Sequence, residues 1–91
     1  MAVTVRIPTT LRPLSGGAKE VQVESGSLLD VIAALDGVHP GFRDRLLDDS
    51  GALRKFVNLF VDDDDVRYLE GLDTKVADGV TVSIIPAVAG G

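Results

Sequence analysis

The chain has no cysteine and only one histidine, His39, among its 91 residues. Without thiols it can form no disulfide, hold no Cys-ligated metal and offer no side-chain sulfur as a nucleophile. If it handles sulfur, that sulfur must sit somewhere other than on a cysteine. A lone histidine cannot complete a zinc set, nor supply the base and orienter that would activate a Ser or Thr hydroxyl. His39 precedes Pro40 and reads as a partly exposed loop residue. Cations are few as well: nine Lys and Arg, scattered along the chain, stand against fourteen Asp and Glu for a net charge of −5. A phosphate backbone demands clustered cations, so nucleic acid is excluded as a partner. No apolar run approaches the ~20 residues of a membrane span. The start "MAVTVRIPTT" lacks the basic residues and apolar stretch of a signal peptide, so the expected setting is cytoplasmic, without membrane contact.

What is present is a folding pattern. An apolar content of 45% with 25% charged residues suits one globular domain. "AVTVRI" alternates Val3, Val5 and Ile7 against polar neighbours, the period of a half-buried strand, until Pro8 stops it. "PTTLRPLSGGAKE" is a long hairpin connection leading to a second alternating strand, "EVQVE". From Ser27 the period lengthens: Leu28, Val31, Ile32, Leu35 and Val38 form one helical stripe, with Ser27 as N-cap, Asp30 as its capping-box partner and Gly37 at the C′ position. "HPGFRDRLLDD" adds a short helix carrying Phe42 and Leu46. Asp48 and Asp49 at the wrong end of its dipole keep it short. "LRKFVNLFV" is a strand, "DDDD" a turn, "VRYL" a short strand and "EGLDTKVADG" a loop with room for one helical turn. Asp78-Gly79 then turns the chain into the last strand, "VTVSII". This order predicts an α+β β-grasp, or ubiquitin-like, fold: a mixed five-stranded sheet with one main helix across one face.

Other candidate sites reduce to structure. A calcium loop begun at Asp62 would need an oxygen donor, glycine and glutamate where Val66, Arg67 and Asp73 stand, so the Asp62–Asp65 run is an exposed hairpin turn. "RPLSGGAK" lacks the spacing of a phosphate loop and sits in a hairpin. On the sheet, Val57, Leu59 and Val61 face the helix, which sends Phe60 to the opposite side, as the phase of the last strand does for Ile85. These two either meet a partner or are covered by the first hairpin loop. Pro86 cannot donate to a ladder, which divides the chain into a domain at 1–85 and a tail at 86–91. At ~3.3 Å per residue "PAVAGG" reaches about 20 Å. Ala87, Val88 and Ala89 are small, Gly90 and Gly91 carry nothing that would obstruct a narrow channel, and Gly91 ends on a carboxylate.

The opening "VTVRIPTTLRPLSGG", the helix at "SLLDVI", the stretch "LRKFVNLFVDDDDVRYLEGLDTKVADG" and the terminal Gly-Gly together resemble the ubiquitin-like sulfur carriers of the MoaD/ThiS superfamily, above all its cysteine-synthesis branch. The resemblance implies a chain that is not itself an enzyme, binds no cofactor or metal and is monomeric when free. A ubiquitin-activating-type adenylyltransferase/sulfurtransferase consumes ATP to adenylate Gly91, and sulfide or a persulfide displaces AMP to leave a thiocarboxylate. A pyridoxal-phosphate-dependent cysteine synthase then takes the sulfur onto a serine-derived acceptor, and a metalloprotease releases cysteine from Gly91. Pro86 to Gly90 would thread into the partner, with Phe60, Tyr68 and Ile85 as the docking surface. The resemblance also admits molybdopterin-synthase or thiazole-type carriers; a protein modifier joined through Gly91 and a plain interaction module are the readings of other classes.

Overall fold

The computed structural model describes residues 2–86. Strands β1 (Val3–Arg6) and β2 (Glu20–Val23) form an antiparallel hairpin in which Val3 opposes Val23 and Val5 opposes Val21. The alternation seen in the sequence therefore sends all four valines to one face. The connection is ordered: a 3₁₀ helix spans Thr9–Ser15, and the buried Ser15 hydroxyl donates to the Ala18 carbonyl at 2.8 Å. Its Leu11 and Leu14 pack against the core. β3 (Gly26–Ser27) leads into α1 (Leu28–Val38), followed by α2 (Phe42–Leu46), β4 (Val57–Val61), β5 (Asp64–Asp65), β6 (Lys75–Val76) and β7 (Thr81–Pro86).

The main sheet has the order β2-β1-β7-β4-β5, with β7 parallel to β1 and antiparallel to β4. The five-stranded mixed sheet with a helix on one face is the β-grasp that the pattern predicts. The last strand thus lies at the centre of the sheet, held on both sides. Leu28, Val31, Ile32 and Leu35 of α1 are buried against the sheet, and Phe42 and Leu46 of α2 close the same core. Val38, assigned to the stripe, is exposed. At about 100° per residue it stands roughly 70° from the centre of the buried face.

The capping box forms in full: the Asp30 N–H donates to Ser27 Oγ and the Ser27 N–H to Asp30 Oδ2, both at 3.1 Å. Gly37 is not at C′. The helix continues through Val38 to a C-cap at His39, whose N–H donates to the Leu35 carbonyl at 2.8 Å. Pro40 sets this end, because the residue before proline is pushed out of the helical region. Asp36 Oδ1 then accepts from the N–H groups of Gly41 and Arg43, tying α1 to the start of α2. Gly41 has φ +112°, and a Cβ there would approach Leu14 Cδ2 to 3.1 Å, so the first hairpin loop seats directly on the helix junction.

Three further expectations are corrected. The strand expected over "LRKFVNLFV" starts only at Val57, because Arg54 N–H turns back to the Leu46 carbonyl and Val57 N–H to the Arg54 carbonyl. "VRYL" is not a strand: β5 is confined to Asp64–Asp65, and Val66–Tyr68 is a 3₁₀ turn capped by Asp65 Oδ1, which accepts from Arg67 N–H at 2.9 Å. Burial of Val66 beneath that turn breaks the alternation. Finally, β7 runs one residue further than expected, through Pro86, whose Cα pairs with that of Val57. The register of β7 with β1 ends at Ser83, so Pro86 is paired on the β4 side alone and stands where β7 is no longer a central strand.

A second, two-stranded sheet pairs β3 with β6, Gly26 opposite Val76 and Ser27 opposite Lys75. The segment read as a loop thus includes a strand as well as a 3₁₀ turn at Gly71–Asp73, the one helical turn expected there.

Candidate functional site

Because β1 and β7 are parallel, both finish at the same end of the sheet, where antiparallel β4 begins and β2 begins. This end is the point of departure for everything beyond Pro86. Ala87, Val88, Ala89, Gly90 and Gly91, the proposed reactive arm, lie outside the described residues. What the structure defines is the platform from which they leave.

The opposite end holds the hairpin turns. Asp62 takes the left-handed conformation at φ +55° and is held by Thr81, whose N–H donates to its Oδ1 at 3.2 Å. Two members of the Asp62–Asp65 run are therefore committed to backbone N–H groups, Asp62 here and Asp65 at its 3₁₀ cap. Gly79, at φ +84°, completes the adjacent turn with its N–H on the Ala2 carbonyl.

On the face away from α1, strand register fixes the neighbours. Ile85 stands opposite Asn58, and Phe60 opposite Ser83 on one side and Asp65 on the other. Ile85 and Phe60 are thus diagonal neighbours on adjacent strands, close enough to form one apolar patch. Ile85 is 49% exposed and Phe60 half-buried. The first hairpin loop does not cover Ile85: its leucines go to the core side. Tyr68, 87% exposed, follows Arg67 on the short turn after β5.

Sequence reasoning missed two features here. Phe56, expected within a strand, precedes Val57 in the turn beside the β7 exit and is 59% exposed. Arg67 reaches back to the same place, donating from Nη1 to Asn58 Oδ1 at 2.6 Å and from Nη2 to the Arg54 carbonyl at 2.9 Å. Nothing in the sequence links residue 67 to residues 54 and 58 before the strand register is known.

The groove between β1, β2 and the end of β7 is lined by Arg6, Pro8, Arg12, Lys19, Glu20 and Ile85. A second groove, on the β4 side, is lined by Asp48, Arg54, Lys55, Phe56 and Arg67. The cations that look scattered in the sequence are therefore gathered in space. Their acceptors are neutral: Arg12 Nε donates to the Ile7 carbonyl at 3.2 Å and Arg54 Nε to the Asp44 carbonyl at 2.9 Å. Such bonds fix direction without cancelling charge.

Asp48 has a local task. Its Oδ1 accepts from Ser50 Oγ, Ser50 N–H and Ala52 N–H at 2.6, 2.9 and 3.1 Å, closing the loop after α2. The Ser50 hydroxyl, with the Ala52 N–H next, holds its pKa below the ordinary 3.8.

The profile of the ThiS family matches residues 5–91. The chain belongs to that family. This ThiS-family chain is 50% identical over 93 residues to the sulfur carrier protein CysO of Mycobacterium tuberculosis, with 100% of each chain covered. It superposes on the CysO/BexX complex structure of Amycolatopsis orientalis with a TM-score of 0.93 and 44% identity, covering 99% of this chain and 100% of that one. It is also 37% identical over 62 residues to small archaeal modifier protein 3 of Haloferax volcanii, covering 68% of this chain and 66% of that one.

Proposed function

We propose that this chain is a sulfur carrier whose terminal Gly91 carboxylate is adenylated and converted to a thiocarboxylate that donates sulfur in cysteine biosynthesis. The observation that carries the reading is the end-to-end match to chains named sulfur carrier protein CysO, which takes in the Gly-Gly motif. The platform supports it: a central strand, paired on both sides, delivers the chain at one end of the sheet, next to exposed Ile85 and Phe56.

The chemistry balances without a side-chain nucleophile. An adenylyltransferase of the ubiquitin-activating type joins the Gly91 carboxylate to ATP, releasing pyrophosphate and forming an acyl-adenylate. Sulfide, or a persulfide followed by reduction, displaces AMP and leaves a thiocarboxylate, anionic and polarisable near neutral pH. The sulfur adds to the serine-derived acceptor on a pyridoxal-phosphate-dependent synthase, rearrangement leaves cysteine amide-linked to Gly91, and a metalloprotease hydrolyses that bond. The chain itself acts as a co-substrate, supplying one reactive atom and a surface for its partners to hold, and ATP is bound and consumed by the activating enzyme. Pro86 to Gly90 are the segment that enters the partner, and Phe60, Tyr68 and Ile85 the surface that docks.

The test is intact-protein mass spectrometry after incubation with ATP, sulfide and the activating enzyme. Replacement of one oxygen by sulfur is the expected result. The likeness to small archaeal modifier protein 3 favours, as second reading, a modifier conjugated through Gly91; covalent adducts with many proteins and no thiocarboxylate would establish it instead. A sulfurated chain that gives no cysteine-extended product with the synthase would place the sulfur in a molybdopterin or thiazole route.

A further inference from the structure

Charge is distributed along the sheet axis in a way that the fold does not require. The two grooves flanking the end of β7 contain six of the nine cations, Arg6, Arg12, Lys19, Arg54, Lys55 and Arg67, against two carboxylates, Glu20 and Asp48. Three cations and twelve carboxylates remain for the rest of the chain. Asp62, Asp63 and Asp78 stand in the turns at the opposite end, with Asp64 at the adjoining start of β5. Like charges brought together repel, and three of the four guanidiniums, those of Arg12, Arg54 and Arg67, are aimed by neutral acceptors, with Arg54 also near enough to the Asp48 carboxylate to help lower its pKa. In a chain of net charge −5, this is a local reversal of sign placed around the one strand end that matters for the proposed chemistry.

We propose that these six residues form a cationic collar that seats on an acidic rim, a ring of Asp and Glu side chains around the entrance of the activating enzyme's channel. The inference rests on the sulfur-carrier reading and deepens it by naming the chemistry of the partner's surface. An acidic rim attracts the collar and repels the Asp-rich end, so the carrier approaches tail first. Exposed Ile85 and Phe56 supply apolar contact once the charges have aligned the two bodies. Complementary charge of this kind acts on encounter and register more than on the chemical step.

Lys19 and Lys55 suit the test, since both are exposed and, among the described residues, their backbone carbonyls rather than their ammonium groups take part in hydrogen bonds, accepting from Ile7 N–H and Arg67 Nη2. Arg6 is less suitable because it opposes Glu20 across β1 and β2. Pyrophosphate release by the activating enzyme is followed with ATP saturating and the carrier varied. The doubly reversed Lys19→Glu/Lys55→Glu chain should raise KM for the carrier about tenfold with kcat unchanged, Lys19→Gln/Lys55→Gln should fall between, and Lys75→Glu at the far end should shift KM less than about twofold. Raising NaCl from about 50 to about 300 mM should weaken the wild type and narrow its advantage over the reversed chain. Equal KM values for the reversed chain and Lys75→Glu would overturn the collar while leaving the sulfur-carrier reading intact. A change in KM for ATP instead would mean that the cations meet nucleotide phosphates, which also overturns it. No reaction of the wild type at all would sink the carrier reading and the collar with it.

Discussion

Arg67 and Asn58 are joined by a 2.6 Å hydrogen bond that crosses from the turn after β5 to the first residues of β4, directly opposite Ile85. The same guanidinium takes the Arg54 carbonyl, so one planar fork pins the segment preceding β4 and, through the Val57–Pro86 pairing, the end of the last strand. Arg67→Ala is expected to destabilise the domain by about 1 kcal/mol, below the ~1.5–3 kcal/mol of a charged hydrogen bond because the site is exposed. Urea unfolding measures that loss, and hydrogen exchange locates it: the Val57 amide, bonded to the Arg54 carbonyl, should exchange faster than amides in β1. Arg67→Lys should not restore protection, since an ammonium lacks the fork. Unchanged Val57 exchange in Arg67→Ala would show that the clamp holds nothing.

The start of α1 depends on a reciprocal pair. Ser27→Ala removes the acceptor for the Asp30 N–H and should cost about 1 kcal/mol in unfolding free energy. Asp30→Ala removes the return bond to Ser27 N–H. Since the two residues also hold each other's side chains in place, the double variant should lose less than the sum of the singles. Strict additivity in a double-mutant cycle would mean that the two bonds act independently.

These two sites mark where the sequence is readable and where it is not. The capping box, the valine alternation and the stripe of Leu28, Ile32 and Leu35 are local signals, fixed by spacing within a few residues, and all appear as written. Gly37 misleads because its propensity to end a helix is outweighed by Pro40, three residues on. Strands of two residues, Gly26–Ser27 and Lys75–Val76, are too short to show alternation at all. The cationic end is illegible for a different reason: Arg6, Arg12, Lys19, Arg54, Lys55 and Arg67 meet only because β7 inserts between β1 and β4. Long-range register, not composition, brings them together.

Acid should loosen the loop after α2 first through Asp48. Its folded pKa lies below 3.8 because the ionised form accepts from the Ser50 hydroxyl, then from the Ala52 and Ser50 N–H groups, and is attracted by Arg54, which together outweigh the opposing desolvation. A depressed folded value means that folding favours the carboxylate. Its contribution is complete above the ordinary value and is lost as pH falls below 3.8 through the folded one. Carbon NMR of the Asp48 carboxyl should report a midpoint lower than that of an unfolded peptide, and Ser50→Ala should move it back upward. A midpoint indifferent to Ser50→Ala would refute the assignment.

Phe60 separates docking from folding. It is half-buried on the outer face, opposite Asp65, so Phe60→Lys places a cation beside a carboxylate and leaves the buried face of β4, Val57 and Leu59, untouched. The unfolding midpoint should therefore change little. If Phe60 anchors the partner, KM for the carrier in the adenylation assay should rise about tenfold or more, the loss typical of an aromatic interface anchor. Unchanged KM with unchanged stability would remove Phe60 from the docking surface.

The proposed reagent is a backbone group, so it can be disabled without touching any side chain. A chain carrying one additional alanine after Gly91, or one whose final carboxyl is an amide, keeps the sheet, the collar and the outer face as they are. In the amide the oxygen that would attack ATP is gone. In the extended chain the carboxylate is displaced by about 3.3 Å and no longer belongs to glycine, enough to miss a channel shaped for a slim arm. Both variants should bind the activating enzyme and inhibit the wild type competitively, yet give no pyrophosphate and no gain of sulfur by intact mass. Competition without turnover would locate the chemistry at Gly91 and the affinity on the domain. Normal sulfur loading of the extended chain would refute Gly91 as the site, whatever its binding.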